Sequence, residues 1–200
     1  QRAAKLARLE AKMGVRATYF LNPHSSFYNL FEPNSLRLIK EIVSAGHWLG
    51  LHFDSGAYTE KEWSEKSLNK TLVWERNLLQ DMLGVSISVV SWHNPEEGNL
   101  LSFKNERLGG MVSTYSDKLN MKYQYVSDSN GYWRHNSLKM MLDSDSDYIH
   151  VLTHPGWWTP KAMLPRDRVK RCLIERARTL MQEYDNQLLK FGRENIGKSG

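Results

Sequence analysis

An imidazole and a carboxylate two residues apart open the chemistry: His52 and Asp54 in Leu51-His52-Phe53-Asp54 can both turn towards one divalent ion. Zinc accepts such nitrogen and oxygen ligands and leaves a position open for water. Asp54 reads equally well as a cap on the turn after a strand. His93, two residues beyond Ser91, and His154, directly after Thr153, are the next two candidates. Ser127-Asp128-Ser129-Asn130-Gly131-Tyr132-Trp133-Arg134 holds a turn at Asn130-Gly131. It reads as a plain loop, or as one in which Asp128 orients a cationic or imidazole group while Trp133 walls a pocket. In Thr153-His154-Pro155-Gly156-Trp157-Trp158 a tight turn holds His154 beside two indoles. Those indoles suit either a packed aromatic turn or a wall for a sugar ring. His24, His47, His135 and His150 receive structural readings.

The elements that must position these residues alternate along the chain. Gln1–Met13 reads as helix, and Val15–Leu21 (VRATYFL) as a strand, being β-branched and aromatic. Asn34 can cap a helix to about Ala45, with Gly46 as its stop. His47–His52 is a short strand. Thr59 and Glu62 match a capping box that opens a helix to about Leu83, closed by Gly84. Ser86–Ser91 is an apolar strand. Asn99–Arg107 reads as helical and Gly109-Gly110 as a break. Met111–Tyr115, Tyr123–Val126 and Tyr148–Thr153 read as strands, and Ser137–Leu142 as a short helix. Pro165 starts a long helix to about Lys190 with Val169, Leu173, Ile174, Ala177, Leu180 and Met181 as its buried stripe.

Alternating strand and helix predicts parallel β with helical crossovers, and both a barrel and an open doubly wound sheet satisfy it. One such His is more often structural than functional. Three strands that each end in a His (His52, His93, His154) point to a shared site, because the loops after parallel strands converge at that edge. His47 lies at an odd offset from His52 and so faces the opposite side of its strand.

Composition narrows the class. The chain has 200 residues, of which 40% are hydrophobic and 24% charged, a globular balance. The net charge of +5 is spread through a helical pattern near the C-terminus, with no Lys/Arg block and no nucleic-acid motif, so no nucleic-acid partner is expected. The single Cys172 precludes an intrachain disulfide and a Cys-based zinc site, and it fits a reducing compartment. No apolar run reaches the roughly 18 residues of a membrane span, and no signal peptide is visible, which favours the cytoplasm. The chain opens inside a helix with no cap, which predicts further residues upstream. One domain over residues 1–200 is expected.

Gly14-Val15-Arg16-Ala17-Thr18-Tyr19-Phe20, Ala45-Gly46-His47-Trp48-Leu49-Gly50-Leu51-His52 and Leu152-Thr153-His154 together resemble the polysaccharide deacetylase superfamily, of NodB-homology or carbohydrate esterase 4-like type. The resemblance covers roughly residues 5 to 158 in order, and the first two motifs are its more specific part. It implies an α/β fold, a distorted barrel of about seven strands, incomplete here at the N-terminus. It also implies a divalent metal, usually zinc, and hydrolysis of an acetyl group from a sugar. By it His52 matches the first metal-binding His, His154 the general acid, and Asp128 and Trp133 a late Asp and Trp motif. His93 falls where the family usually places an Arg.

This chain departs from the pattern at two points. The second metal-binding His would fall at Gly56, so Asp54 or His93 is left to supply that ligand. The acidic pair on the family's first strand, which provides the base and one ligand, has no match and is expected upstream of Gln1. The reading is therefore a zinc-dependent carbohydrate deacetylase with catalytic His154 and Asp128, metal ligands His52, Asp54 and His93, and sugar contacts at Trp133, Trp157 and Trp158; taken alone, this stretch is expected to have little activity. The main alternative, favoured by Gly56, is a catalytically inactive carbohydrate-binding homologue. An amidohydrolase would lead with paired histidines on an early strand, and a nucleic-acid module would bind with steep salt dependence.

Overall fold

The structure, a computed structural model, describes residues 2–133 and 137–197. It divides into two compact units, Gln1–Trp158 and Thr159–Gly200. The first unit holds seven strands: β1 (Thr18–Leu21), β2 (Trp48–Phe53), β3 (Ile87–Trp92), β4 (Arg107–Leu108), β5 (Met111–Ser113), β6 (Gln124–Ser127) and β7 (Ile149–Leu152). Its helices are α1 (Arg2–Lys12), α2 (Pro33–Ser44), α3 (Glu65–Leu83), α4 (Asp117–Lys122) and α5 (Leu138–Leu142). The second unit contains α6 (Pro165–Lys190).

The fold is mixed α/β and dominated by parallel strands. One sheet has the order β1-β2-β3-β5-β4, parallel except for β4 against β5; a second pairs β6 and β7 in parallel. Gly109 and Gly110 both take positive φ and turn the β4–β5 hairpin, which matches the need of a two-residue hairpin loop for left-handed residues.

Strand β2 shows why the order of residues matters. Leu49, Leu51 and Phe53 alternate onto the core face and are buried, each contributing about 1.5–3 kcal/mol. Gly50 and His52 occupy the other face. A Cβ on Gly50 would stand 2.6 Å from Phe20 Cε1 and 3.1 Å from the Val89 carbonyl, so glycine lets the neighbouring strand close in. Leu68, Leu72 and Leu79 of α3 pack in the same core with Ile87, Val90 and Trp92 of β3.

His47 lies just before β2 and is buried between α1 and β1. Its Nδ1 accepts from the Ala17 N–H at 3.1 Å, so Nε2 carries the hydrogen and donates to the Ala7 carbonyl at 2.8 Å. This is the structural role its position suggests.

Several expected boundaries shift. Helix α2 starts at Pro33 behind Glu32, not at an Asn34 cap. The capping box of α3 is Ser64 with Ser67, not Thr59 with Glu62. Buried Trp63 fixes that start: its N–H donates to Asn99 Oδ1 at 2.8 Å, and Asn99 Nδ2 donates back to its carbonyl at 3.1 Å. The same pairing holds Asn99 at φ 53°, and the helix expected over Asn99–Arg107 is only a short 3₁₀ turn at Leu100–Ser102 before β4. Helix α4, capped by Ser116, was not expected. The α6 stripe is not buried either: Leu173, Ile174, Leu180 and Met181 are 41–62% exposed, and no described residue of α6 is buried. His135 and Arg134 lie outside the described residues.

Candidate functional site

The site grows from the ends of strands. Asn22, Asp54, His93 and Asp128 are each the first residue beyond β1, β2, β3 and β6, while His52 is the penultimate residue of β2 and His154 follows β7 by two. The ends of β1, β2 and β3 share one edge of the larger sheet, and those of β6 and β7 one edge of the smaller; there backbone ladders stop and side chains are free to face a ligand.

His52 and His93 meet edge to face with ring centres 5.2 Å apart. The register explains it: β2 and β3 pair Phe53 with Trp92, and the His93 N–H donates to the Phe53 carbonyl at 2.8 Å. Asp54 Oδ2 lies 3.9 Å from His93 Nε2 and accepts from Asn22 Nδ2 at 3.1 Å. Its Oδ1 accepts from the Gly56 N–H at 3.2 Å, so Asp54 caps its turn and faces the histidines at once. Burial pushes the His52 imidazole down to about 4, with repulsion from His93 and His154 adding to the fall and Asp54 opposing it. His52 is therefore neutral at pH 7, and the charge of His154, beyond the end of β7, is felt at its ring.

His154 is tied to Asp128. Its N–H donates to Oδ1 at 2.9 Å, its Nδ1 lies 2.7 Å from the same oxygen, and Trp158 Nε1 donates to Oδ2 at 2.8 Å. A carboxylate on Nδ1 holds the hydrogen there and leaves Nε2 for chemistry. Trp158 is pinned by its indole N–H while the residue stays 46% exposed. Trp157 is half-buried with Nε1 unpartnered among the described residues, and Trp133 is half-buried beyond the Asn130-Gly131 turn. No hydrogen bond or ring contact among the described residues joins Trp133 to His52, Asp128 or His154.

The donors suit a divalent ion in type. His52 Nδ1 is buried with no hydrogen-bond partner among the described residues. Two imidazoles on one tetrahedral zinc put their ring centres roughly 5 Å apart, the His52–His93 separation, and neighbouring ligand atoms about 3.4 Å apart. The 3.9 Å between Asp54 and His93 is slightly wide. Among the described residues no three His, Cys, Asp or Glu side chains form a finished cage. The His93 side chain is 42% exposed.

A second polar group, which the residue pattern did not single out, adjoins this one. Glu75 of α3 is fully buried, lies 2.6 Å from His24 Nε2 and accepts from Tyr58 OH at 2.5 Å. Burial pushes its carboxyl up, and the two hydrogen bonds oppose that rise. Its signal in the sequence is a lone Glu on the stripe Leu68, Leu72, Leu79. His24 is thus structural in a specific sense, as a partner of a buried acid. His150, within β7, stacks edge-on against Tyr125 with its imidazole lowered by burial. No known protein-family profile matches the chain, and no curated protein matches it.

Proposed function

We propose that this chain is a carbohydrate deacetylase domain in which His52, Asp54 and His93 hold a divalent ion and His154 acts as general acid. The observation behind the reading is convergence: three strand ends bring His52 into contact with His93 and within charge range of an Asp128-bound His154. A distorted barrel is the architecture this reading implies, with β1, β2, β3, β5, β6 and β7 as its parallel strands.

A bound zinc ion supplies a water of lowered pKa and polarises the acetyl carbonyl. Neutral His52 offers a nitrogen lone pair for such an ion. Asp128 orients His154, whose Nε2 holds a proton for the leaving amine or hydroxyl of the sugar. Trp158, anchored at its N–H, presents an indole face on which a sugar ring stacks, with Trp157 and Trp133 extending the wall.

Two measurements test the reading. Zinc titration of the full-length protein should show one stoichiometric ion, and its acetate release from an acetylated oligosaccharide should fall at least about a hundredfold in His154→Ala. Absence of ion binding, or unchanged acetate release in that variant, refutes it. Sugar binding that persists with no ion bound makes the chain a non-catalytic carbohydrate-binding relative instead.

A further inference from the structure

Glu75 is an expensive residue for its place. It sits on the apolar stripe of α3, is fully buried, and has Oε2 without a hydrogen-bond partner among the described residues. A Leu or Met there would complete the stripe without desolvating a carboxyl. Core packing therefore does not account for it, and its two partners point elsewhere. His24 belongs to the loop after β1 and Tyr58 to the loop after β2. The acid draws both loops onto α3 from the edge where the site lies.

The next contacts lead to Asp54. The His24 backbone N–H donates to Asn22 Oδ1 at 2.8 Å. A backbone N–H can only donate, so Oδ1 must face it and the Asn22 NH₂ is turned the other way. That NH₂ donates to Asp54 Oδ2 at 3.1 Å, the oxygen 3.9 Å from His93. Asn22 is itself buried, and its N–H donates to Tyr28 OH at 3.2 Å, so its backbone is fixed too.

We propose that Asn22 and Glu75 are positioning residues for Asp54: the buried Glu75–His24–Tyr58 lock sets the loop after β1, and that loop aims the Asn22 amide at the carboxylate facing His93. The relay stands on contacts within the chain itself; only its consequence for metal affinity rests on the function proposed above.

The test has a metal-free arm and a zinc arm. In the ¹⁵N-labelled 200-residue chain the Asn22 side-chain NH₂ pair, assigned by its loss in Asn22→Ala, should resonate away from the crowded region of exposed amides. Glu75→Ala should move it into that region, Tyr58→Phe part of the way, and Glu75→Gln, which keeps an acceptor, much less. Leu72→Ala, a core truncation on the same stripe that leaves the lock intact, should not move it. If Glu75→Ala does not fold, Tyr58→Phe decides alone. An Asn22 signal unmoved by the lock variants, or moved as far by Leu72→Ala, overturns the relay.

In the zinc arm, run on the full-length protein, Asn22→Ala and Glu75→Ala should each weaken binding about 10–100-fold. The double variant should be no weaker than the worse single, because both changes cut one relay. Unchanged zinc affinity in Glu75→Ala, with wild type binding, also overturns the proposal. A relay signal in a chain that binds no zinc leaves the relay standing and refutes the metal reading. Zinc binding without the signal does the reverse.

Discussion

At the scale of single residues, His52 is the most informative group, because its environment fixes its charge. Its folded value of about 4 lies below the ordinary 6.5, so the native state binds fewer protons than the unfolded chain between those values. The stability from keeping His52 neutral is fully present above about pH 6.5 and is lost as pH falls towards and through 4. The shift corresponds to roughly 3 kcal/mol. Urea midpoints for wild type should therefore fall steeply from pH 7 to pH 4.5, and those of His52→Gln should fall less; equal slopes would mean that acid sensitivity arises elsewhere. Asp128 makes a second case. Asp128→Asn places an amide NH₂ among three donors, the His154 N–H, His154 Nδ1 and Trp158 Nε1. It should cost about 1–3 kcal/mol in chemical denaturation and reduce acetate release at least about a hundredfold. The positions of His52, Asp54, His93, Asp128 and His154 were legible because a polar residue ending an apolar strand run stands out. Asn22 ends β1 in the same way, yet an Asn there reads as an ordinary turn residue. Its meaning lies in Asp54, thirty-two positions away.

At the scale of elements, local pattern located most strands and helices, and long-range contacts set their ends. The apolar runs behind β1, β2, β3 and β7 declared themselves, as did Gly84 at φ 67° closing α3. The start of α3 did not, because Trp63 and Asn99 hold each other across thirty-six residues and move the cap to Ser64. Two substitutions probe these elements. Ser64→Ala removes the side chain that accepts from the Ser67 N–H and should destabilise by about 1 kcal/mol, whereas Thr59→Ala should change the urea midpoint little. Gly50→Ala forces a Cβ to within 2.6 Å of Phe20 on β1, the strand that leads into Asn22. Overpacking of this kind costs about 1–3 kcal/mol. Because Phe20 lies beside His52, with ring centres 6.3 Å apart, the loss should be accompanied by a changed His52 imidazole signal in NMR spectra. A midpoint unchanged from wild type would show that β1 and β2 have room the backbone does not reveal.

At the scale of the whole molecule, the two compact units differ in what holds them. Among the described residues the main hydrophobic cluster runs from Ala3 to Tyr115, with α1, α2 and α3 against the larger sheet, and Val126 and Met141 are buried apart from it. Every residue of the candidate site, from Asn22 to Trp158, belongs to that same unit. Helix α6 instead shows helical periodicity with no buried residue among those described, and an isolated helix without a packed face is only marginally stable in water. Residues 1–158 alone should therefore unfold cooperatively, with the edge-to-face His52–His93 pair still detectable as a nuclear Overhauser contact between the two rings. Residues 159–200 alone should show weak helicity by circular dichroism that melts without a sharp transition. A truncated 1–158 chain that loses its cooperative transition would place part of the stabilising free energy in the second unit, and the self-contained core inferred for the first unit would have to be abandoned.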